Sequence, residues 1–279
     1  MYDGGSRSEP GLLQRAVGEL RVAVKRFGPE TVLDELRQVG CLKARFPRRI
    51  VPGWMDVVML NTGGGVAGGD RLDVAIGVGP GARATIAAQA AERFYRALTA
   101  DTPARVRTRL TVAGGASLEW LPQETILFDR CALDRRLEVD LAPDAHFLGV
   151  ETVVFGRTAM GERVQQGWLR DLIRVRRGGE LLLHDAIRLD GEIDAAMQRT
   201  AIGGGASVVA TMVYVAPDAA GKLDETRVAL GPAEAGASVW NGMLIARILG
   251  CDSASVRRTV IAALDVLRES RPLPRVWLC

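Results

Sequence analysis

Apolar residues in most segments of this chain fall on every second position. Leu20, Val22 and Val24 alternate with other residues, and Phe27-Gly28-Pro29-Glu30 reads as a turn returning the chain into Thr31-Val32-Leu33. Leu72, Val74, Ile76 and Val78 repeat the pattern, closed by Pro80. Residues 169–175 and 180–189 flank Arg177-Gly178-Gly179, the signature of a hairpin, and residues 208–215 are β-branched and apolar. Period two puts alternate side chains on one face of a strand, so these segments predict strands. Helical spacing concentrates at the C-terminus, where Val256, Val260, Leu264 and Leu267 recur behind a capping residue, Asp252 or Ser253. This predicts one amphipathic helix over about 253–270, packed on the core. Pro272 and Pro274 end it, and residues 275–278 read as a last short strand.

The middle of the chain repeats. Gly81-Ala82 is followed by Gln89, Phe94 and Arg96; 34 residues on, Gly115-Ala116 is followed by Gln123, Phe128 and Arg130. Glu124-Thr125-Ile126-Leu127-Phe128-x-Arg130 returns 27 residues later as Glu151-Thr152-Val153-Val154-Phe155-x-Arg157. Ahead of these come Arg71-Leu72-x-Val74, the looser Arg109-Leu110-x-Val112, and Arg136-Leu137-x-Val139. Three units of about 30 residues between about 70 and 160, each a strand pair, predict β-layers that stack to bury a shared core. By analogy Gln89 to Ala97 is extended, although its local propensity is helical. The fold class is therefore mainly β: stacked strand layers with internal repeats and a small C-terminal α/β portion.

Gly63, Gly65 and Gly68 spell G-x-G-x-x-G behind the apolar run Val57-Val58-Met59-Leu60. A pyrophosphate cradle needs a helix next, so that its N-terminal N–H groups face the phosphates. The residues after Gly69 instead alternate as a strand. The glycines thus read as a tight strand connection, whose ordering entropy calls for a close backbone approach or a partner surface.

Charge and composition narrow the chemistry. The net charge of +3 excludes a polyanion-binding surface of the usual strength, and the 48% apolar content is that of a globular protein. The stretch from Arg21 to Arg49 is locally basic and reads as a solvated face. Cys41, Cys131, Cys251 and Cys279 are scattered, no apolar leader is visible, and reduced thiols in the cytosol are expected. The longest uncharged run, residues 201–217, is shorter than the ~20 residues a bilayer requires. No Walker loop or G-x-S-x-G elbow occurs, and His146 and His184 are too few for a closed zinc site. Carboxylates remain. Asp70, Glu92, Glu124, Glu151 and Asp185 lie in or beside apolar β segments, where an unpaired charge is costly. Either each pairs with an arginine, or several converge on a wet interior path that holds a cation through oxygen ligands. A carboxylate pair on a β-solenoid-like scaffold also fits an enzyme acting on a glycan or nucleotide. With aromatics at 5%, few platforms exist for stacking sugar rings.

Several ordered segments resemble the urease accessory protein UreD (UreH) family. They are Gly63-Gly64-Gly65-Val66-Ala67-Gly68-Gly69-Asp70, Gln89-Ala90-Ala91-Glu92-Arg93-Phe94-Tyr95-Arg96, and Trp120-Leu121-Pro122-Gln123-Glu124. Phe155-Gly156-Arg157-x-Ala159-Met160-Gly161-Glu162, Ile187-Arg188-Leu189-Asp190-Gly191 and the ending Leu273-Pro274-Arg275-Val276-Trp277 follow in order. The resemblance covers residues 18–279 as a single domain and leaves residues 1–17 as a mobile tail. It implies a mostly β, cytoplasmic, non-enzymatic maturation factor. Such a protein binds UreF, assembles through it with the GTPase UreG, and docks on the urease apoprotein in a hetero-oligomer dimerised through partners. It has no nucleic-acid or membrane partner and no tightly bound cofactor. It helps deliver nickel, held only transiently, through an internal tunnel. The resemblance implies Asp70, Glu92, Glu151 and Asp185 along the nickel path. It implies Gly64, Gly65, Gly68, Gly69, Gln89, Tyr95, Arg96, Gln123 and Glu124 as partner or structural motif residues.

NAD or ATP should therefore leave the thermal midpoint of the purified chain unmoved. Gly69→Val should destabilise the fold with no nucleotide affinity to lose. Measurable nucleotide binding that disappears in the variant would restore the phosphate-cradle reading.

Overall fold

The computed structural model describes residues 14–97, 102–157 and 160–278. Residues 1–13 of the predicted tail, Ala159 and Cys279 lie outside them. Ala16 and Val17, also assigned to that tail, belong to the fold, because Val17 opens the first strand.

The chain begins with a hairpin, β1 (Val17–Phe27) and β2 (Glu30–Gly40), then β3 (Leu42–Arg45) and β4 (Trp54–Asn61). The repeat region supplies β5 (Arg71–Val78), β6 (Arg83–Ala88), β7 (Glu92–Phe94), β8 (Ala104–Val112), β9 (Ser117–Leu121), β10 (Thr125–Leu127), β11 (Ala132–Leu141) and β12 (His146–Phe155). A second hairpin, β13 (Gln166–Arg177) and β14 (Glu180–Glu192), leads through helix α1 (Ile193–Gln198) to β15 (Val208–Val215). Helix α2 (Leu223–Leu230), strands β16 (Glu234–Trp240) and β17 (Met243–Gly250), and helix α3 (Ser253–Leu267) complete the domain.

Two sheets face each other. One runs β14-β13-β11-β8-β5-β1-β2, the other β16-β17-β15-β12-β9-β6-β4-β3. Within each repeat the two longer strands lie in opposite sheets. The chain therefore coils: β5, β8 and β11 pair in parallel in one sheet, and β6, β9 and β12 in the other. A third, short parallel ladder joins β7 and β10 to the end of β12. The residues from Gln89 to Ala97 are extended around β7, as the repeat predicts; ladder partners outweigh local helical preference there. The coil offset of 34 is kept, since Arg71 pairs with Arg105 and Arg83 with Ser117. The finer register is not. Leu110, likened in sequence to Leu72, pairs with Ile76, and Thr125 pairs with Val153 instead of Thr152.

Alternation divides the apolar residues between two cores. Inward Phe147, Val153 and Phe155 of β12 meet Leu110, Leu133 and Val175 between the sheets. Outward Leu148, Val150 and Val154 meet Val256, Val260, Leu264 and Leu267 of α3. Asp252 caps α3, its carboxylate accepting from the Ala254 and Ser255 amides. The predicted last strand is a 3₁₀ turn, Arg275–Trp277. Side chains take its backbone acceptors: Gln123 donates to Val276 O at 2.8 Å and Arg257 to Trp277 O at 3.0 Å. Trp277 itself is buried and donates to Leu121 O, so this end docks on the sheet's outer face without extending its ladder.

Leu264→Ala should cost about 2–5 kcal/mol, because Leu264 is fully buried where helix and sheet meet. Urea unfolding of the variant beside wild type measures it.

Candidate functional site

The glycine turn after β4 is clipped to the β7 segment. Val66 N donates to Arg93 O, Tyr95 N to Val66 O, and the Tyr95 hydroxyl to Gly64 O, each at 2.8 Å. Gly68 is needed for close approach, since a Cβ there would stand 2.9 Å from Thr102 O. Gly69 is needed for its φ of +88°, which side chains rarely adopt. Asp70, buried, does not point into a path. Its two oxygens accept the amides of Ala16 and Ala67, both at 2.8 Å, so it pins the turn to the start of β1. The turn leads into a strand, as read from sequence, and no helix follows to cradle a phosphate.

Behind this turn a cavity of about 190 Å³ opens between the sheets. Gly64, Gly65, Gln89, Glu92, Arg135 and Glu151 are among the residues that line it. A second cavity, about 10 Å³ and so the size of one water, continues beyond Arg135 and Glu151 to Asp171, Asp185 and Thr211.

The charges lie here because strand parity puts them here. Arg135 alternates with inward Leu133, Leu137 and Val139, and Asp171 with Leu169, Ile173 and Val175. Glu151 alternates with Val153 and Phe155. Three charges thus enter the space between the sheets and pair within it. Arg135 Nε and Nη2 donate to the two Asp171 oxygens at 2.8 and 2.5 Å; Nη1 donates to Glu151 at 2.5 Å and to Thr125 at 2.7 Å. The Trp120 indole donates to the other Glu151 oxygen at 2.7 Å. Further along, Asp185 of β14 meets Arg247 of β17 at 2.7 Å, tying the two sheets together near their edges. Burial pushes the Glu151 carboxyl above its usual range, opposed by the Arg135 charge and reinforced by Asp171. Burial works against the charge on Arg135, but Asp171 and Glu151 outweigh it and hold the guanidinium more firmly protonated than usual. Removing Arg135, which would leave buried carboxylates uncompensated, costs about 3–5 kcal/mol.

Glu92 has a different environment. It accepts from the Asn61 amide at 3.1 Å, and burial raises its carboxyl above the ordinary value, opposed by the Asn61 and Arg93 N–H groups. Burial also pushes the Cys131 thiol up to about 12 and raises Cys41, so both stay thiols at neutral pH. Both histidines are exposed, His184 on edge strand β14.

Glu92 and Glu151 thus line the first cavity, Glu151 and Asp185 the second, and Asp70 neither. Gln89 and Gln123 also line the first cavity. Gln123 and Glu124 bind Arg257 of α3 at 2.7 and 2.8 Å, anchoring the C-terminal end. Tyr95 stacks edge-on to Phe128 at 5.0 Å, and Arg96 bridges Cys131 through its backbone. Arg135, Asp171 and Arg247 were not among the sequence candidates. Their signal was present nonetheless: a charge at the inward position of an otherwise apolar alternation. Among the described residues, no three of His, Cys, Asp and Glu gather as a metal cluster.

These features define a coiled two-sheet β protein with a buried ion-paired cluster lining two cavities in its core. The sequence pattern described as UreD urease accessory protein matches residues 16–278. A urease accessory protein UreD of Xanthobacter autotrophicus is 46% identical over 276 residues, spanning 98% of this chain and 93% of that one. One from Azorhizobium caulinodans is 43% identical over 266 residues, at 95% and 97% coverage. A UreD 2 from Methylorubrum populi is 45% identical over 273 residues, at 95% and 91%. The chain belongs to the UreD urease accessory protein family, and its role lies in urease maturation.

Asp70→Ala should leave the Ala16 and Ala67 amides without acceptors, at about 1–3 kcal/mol each, loosening the glycine turn from β1. Hydrogen exchange at those two amides reads it. For Glu92 the sign runs the other way: a folded-state pKa raised by burial supplies stability below the carboxyl range that is lost as pH rises through it. Glu92→Gln should melt like wild type below about pH 4 and higher than wild type at neutral pH.

Proposed function

We propose that this protein is a non-enzymatic scaffold that works in the cytosol. It binds UreF, assembles through it with UreG in a hetero-oligomer dimerised through partners, and docks on apo-urease. In that assembly it passes nickel toward the urease active site along the passage between its sheets. Membership of a family of urease accessory proteins supports the maturation role. The observation that carries the route is the run of inward carboxylates Glu92, Glu151 and Asp185 along two adjoining cavities. Carboxylate oxygens suit a divalent ion that must be held and released, and spaced single donors bind it weakly at each point. Asp70 serves here as the fastener of the entrance turn, outside the route.

Glu151→Gln and Asp185→Asn separate this role from mere support. Losing Glu151 leaves Arg135 paired with Asp171, and Arg247 is partly exposed, so neither change strands a buried charge. Both variants should keep their thermal midpoint and copurify with UreF, while the coexpressed urease carries less nickel. Full nickel loading with either variant would remove that residue from the route, and with both would sink the route itself. Early melting or failed assembly would make the carboxylates structural.

A further inference from the structure

The first and second cavities have two lining residues in common, Arg135 and Glu151. A guanidinium therefore stands in the wall that any cation moving between them must cross. Its attachments are uneven. Asp171 holds it with two parallel hydrogen bonds, whereas Glu151 and Thr125 each accept one, both from Nη1. Releasing Nη1 alone would free Glu151 and leave Asp171 as the anchor. The charges are uneven too: two carboxylates face one guanidinium, so the buried triad carries one negative charge in excess. A divalent cation would balance the two carboxylates only with the guanidinium withdrawn, and it competes with Arg135 for the same Glu151 oxygen.

We infer that Arg135 is the gate of the interior passage, an internal counter-ion that keeps Glu151 from retaining a divalent cation and so makes the passage a conduit instead of a trap. This rests on the proposed route. The gate works by exchange. The cation takes the Glu151 oxygen as Nη1 leaves it, and the returning guanidinium displaces the cation onward. Arg135 touches the cargo's ligand and sets how tightly it is held; Asp171 positions Arg135. Thr125 keeps Nη1 on the Glu151 side, and the Trp120 indole fixes the carboxylate against turning away. A guanidinium suits this place because its planar fork binds two carboxylates at once and keeps its proton even when buried.

The consequence is opposite in sign for binding and for delivery. Without the guanidinium, the triad becomes two carboxylates with no counter-ion beside a cavity, and nickel should stay there. The test measures Ni2+ binding to the full-length chain by equilibrium dialysis, and nickel content of urease coexpressed with the complete accessory set. Arg135→Gln should bind Ni2+ at least about tenfold more tightly than wild type, the scale of removing one adjacent unit charge even where it is well screened. Urease from the same cells should carry less nickel. Adding Glu151→Gln should return the affinity to the wild-type value. Arg135→Lys keeps a positive charge but cannot span both carboxylates, so it should show a smaller gain in affinity; it carries the test if Arg135→Gln does not fold. Reduced delivery with no gain in affinity in the folded variants would make Arg135 a structural tie and overturn the gate. A gain in affinity while Glu151→Gln leaves urease fully loaded would retain a gated cation seat but place the nickel route elsewhere.

Discussion

Each coil of the chain lays one strand in each sheet, and the parallel ladders then fix which inward side chains become neighbours. Every other residue of a strand must enter the space between the sheets, whatever its chemistry. Where that residue is apolar it joins the core. Where it is charged, it finds its partner inside, because an unpaired buried charge is costly. Arg135 and Asp171 stand directly opposite each other on β11 and β13, and Glu151 reaches them from β12 in the facing sheet. The Arg135–Asp171 pair is thus set by ladder register before any question of function arises.

Such a triad is a poor way to gain stability. Apolar side chains of similar volume would hold the sheets together at least as well, since two ions must be desolvated for each pair formed. What the charges add is a defined polar line through a space otherwise closed to ions. It runs from the half-buried Glu92 behind the glycine turn, past Thr125 and Glu151, to Asp185 at the far edge.

Much of this was legible in the sequence. Period-two alternation located β1 and β5, a hairpin signal β13 and β14, and a β-branched apolar run β15, and the strand after Gly69 ruled out the phosphate cradle. Repetition also corrected helical propensity around Glu92. Register was less legible, because the repeated Glu-Thr-x-x-Phe segments sit near coil corners, where one residue more or less is absorbed by the turn. Asp70 was misread for a related reason: a buried carboxylate after a glycine turn fits a path, but backbone amides 3 and 54 residues away claim both oxygens. The Arg135 triad escaped notice because its members come from three strands. Each looked like an isolated break in a pattern, and only the fold shows that the breaks meet. The last strand failed because side-chain donors satisfied its carbonyls, which periodicity cannot show.

Gln123 does two jobs. Its side chain grips the backbone of Val276 and the guanidinium of Arg257 on the outside of the sheet, and the same residue lines the larger cavity within. The final turn of the chain is in effect a handle fastened through the wall. Whatever grasps or removes residues 275–278 pulls on the lining of that cavity, so the outer surface there and the inner dimensions of the cavity are mechanically linked.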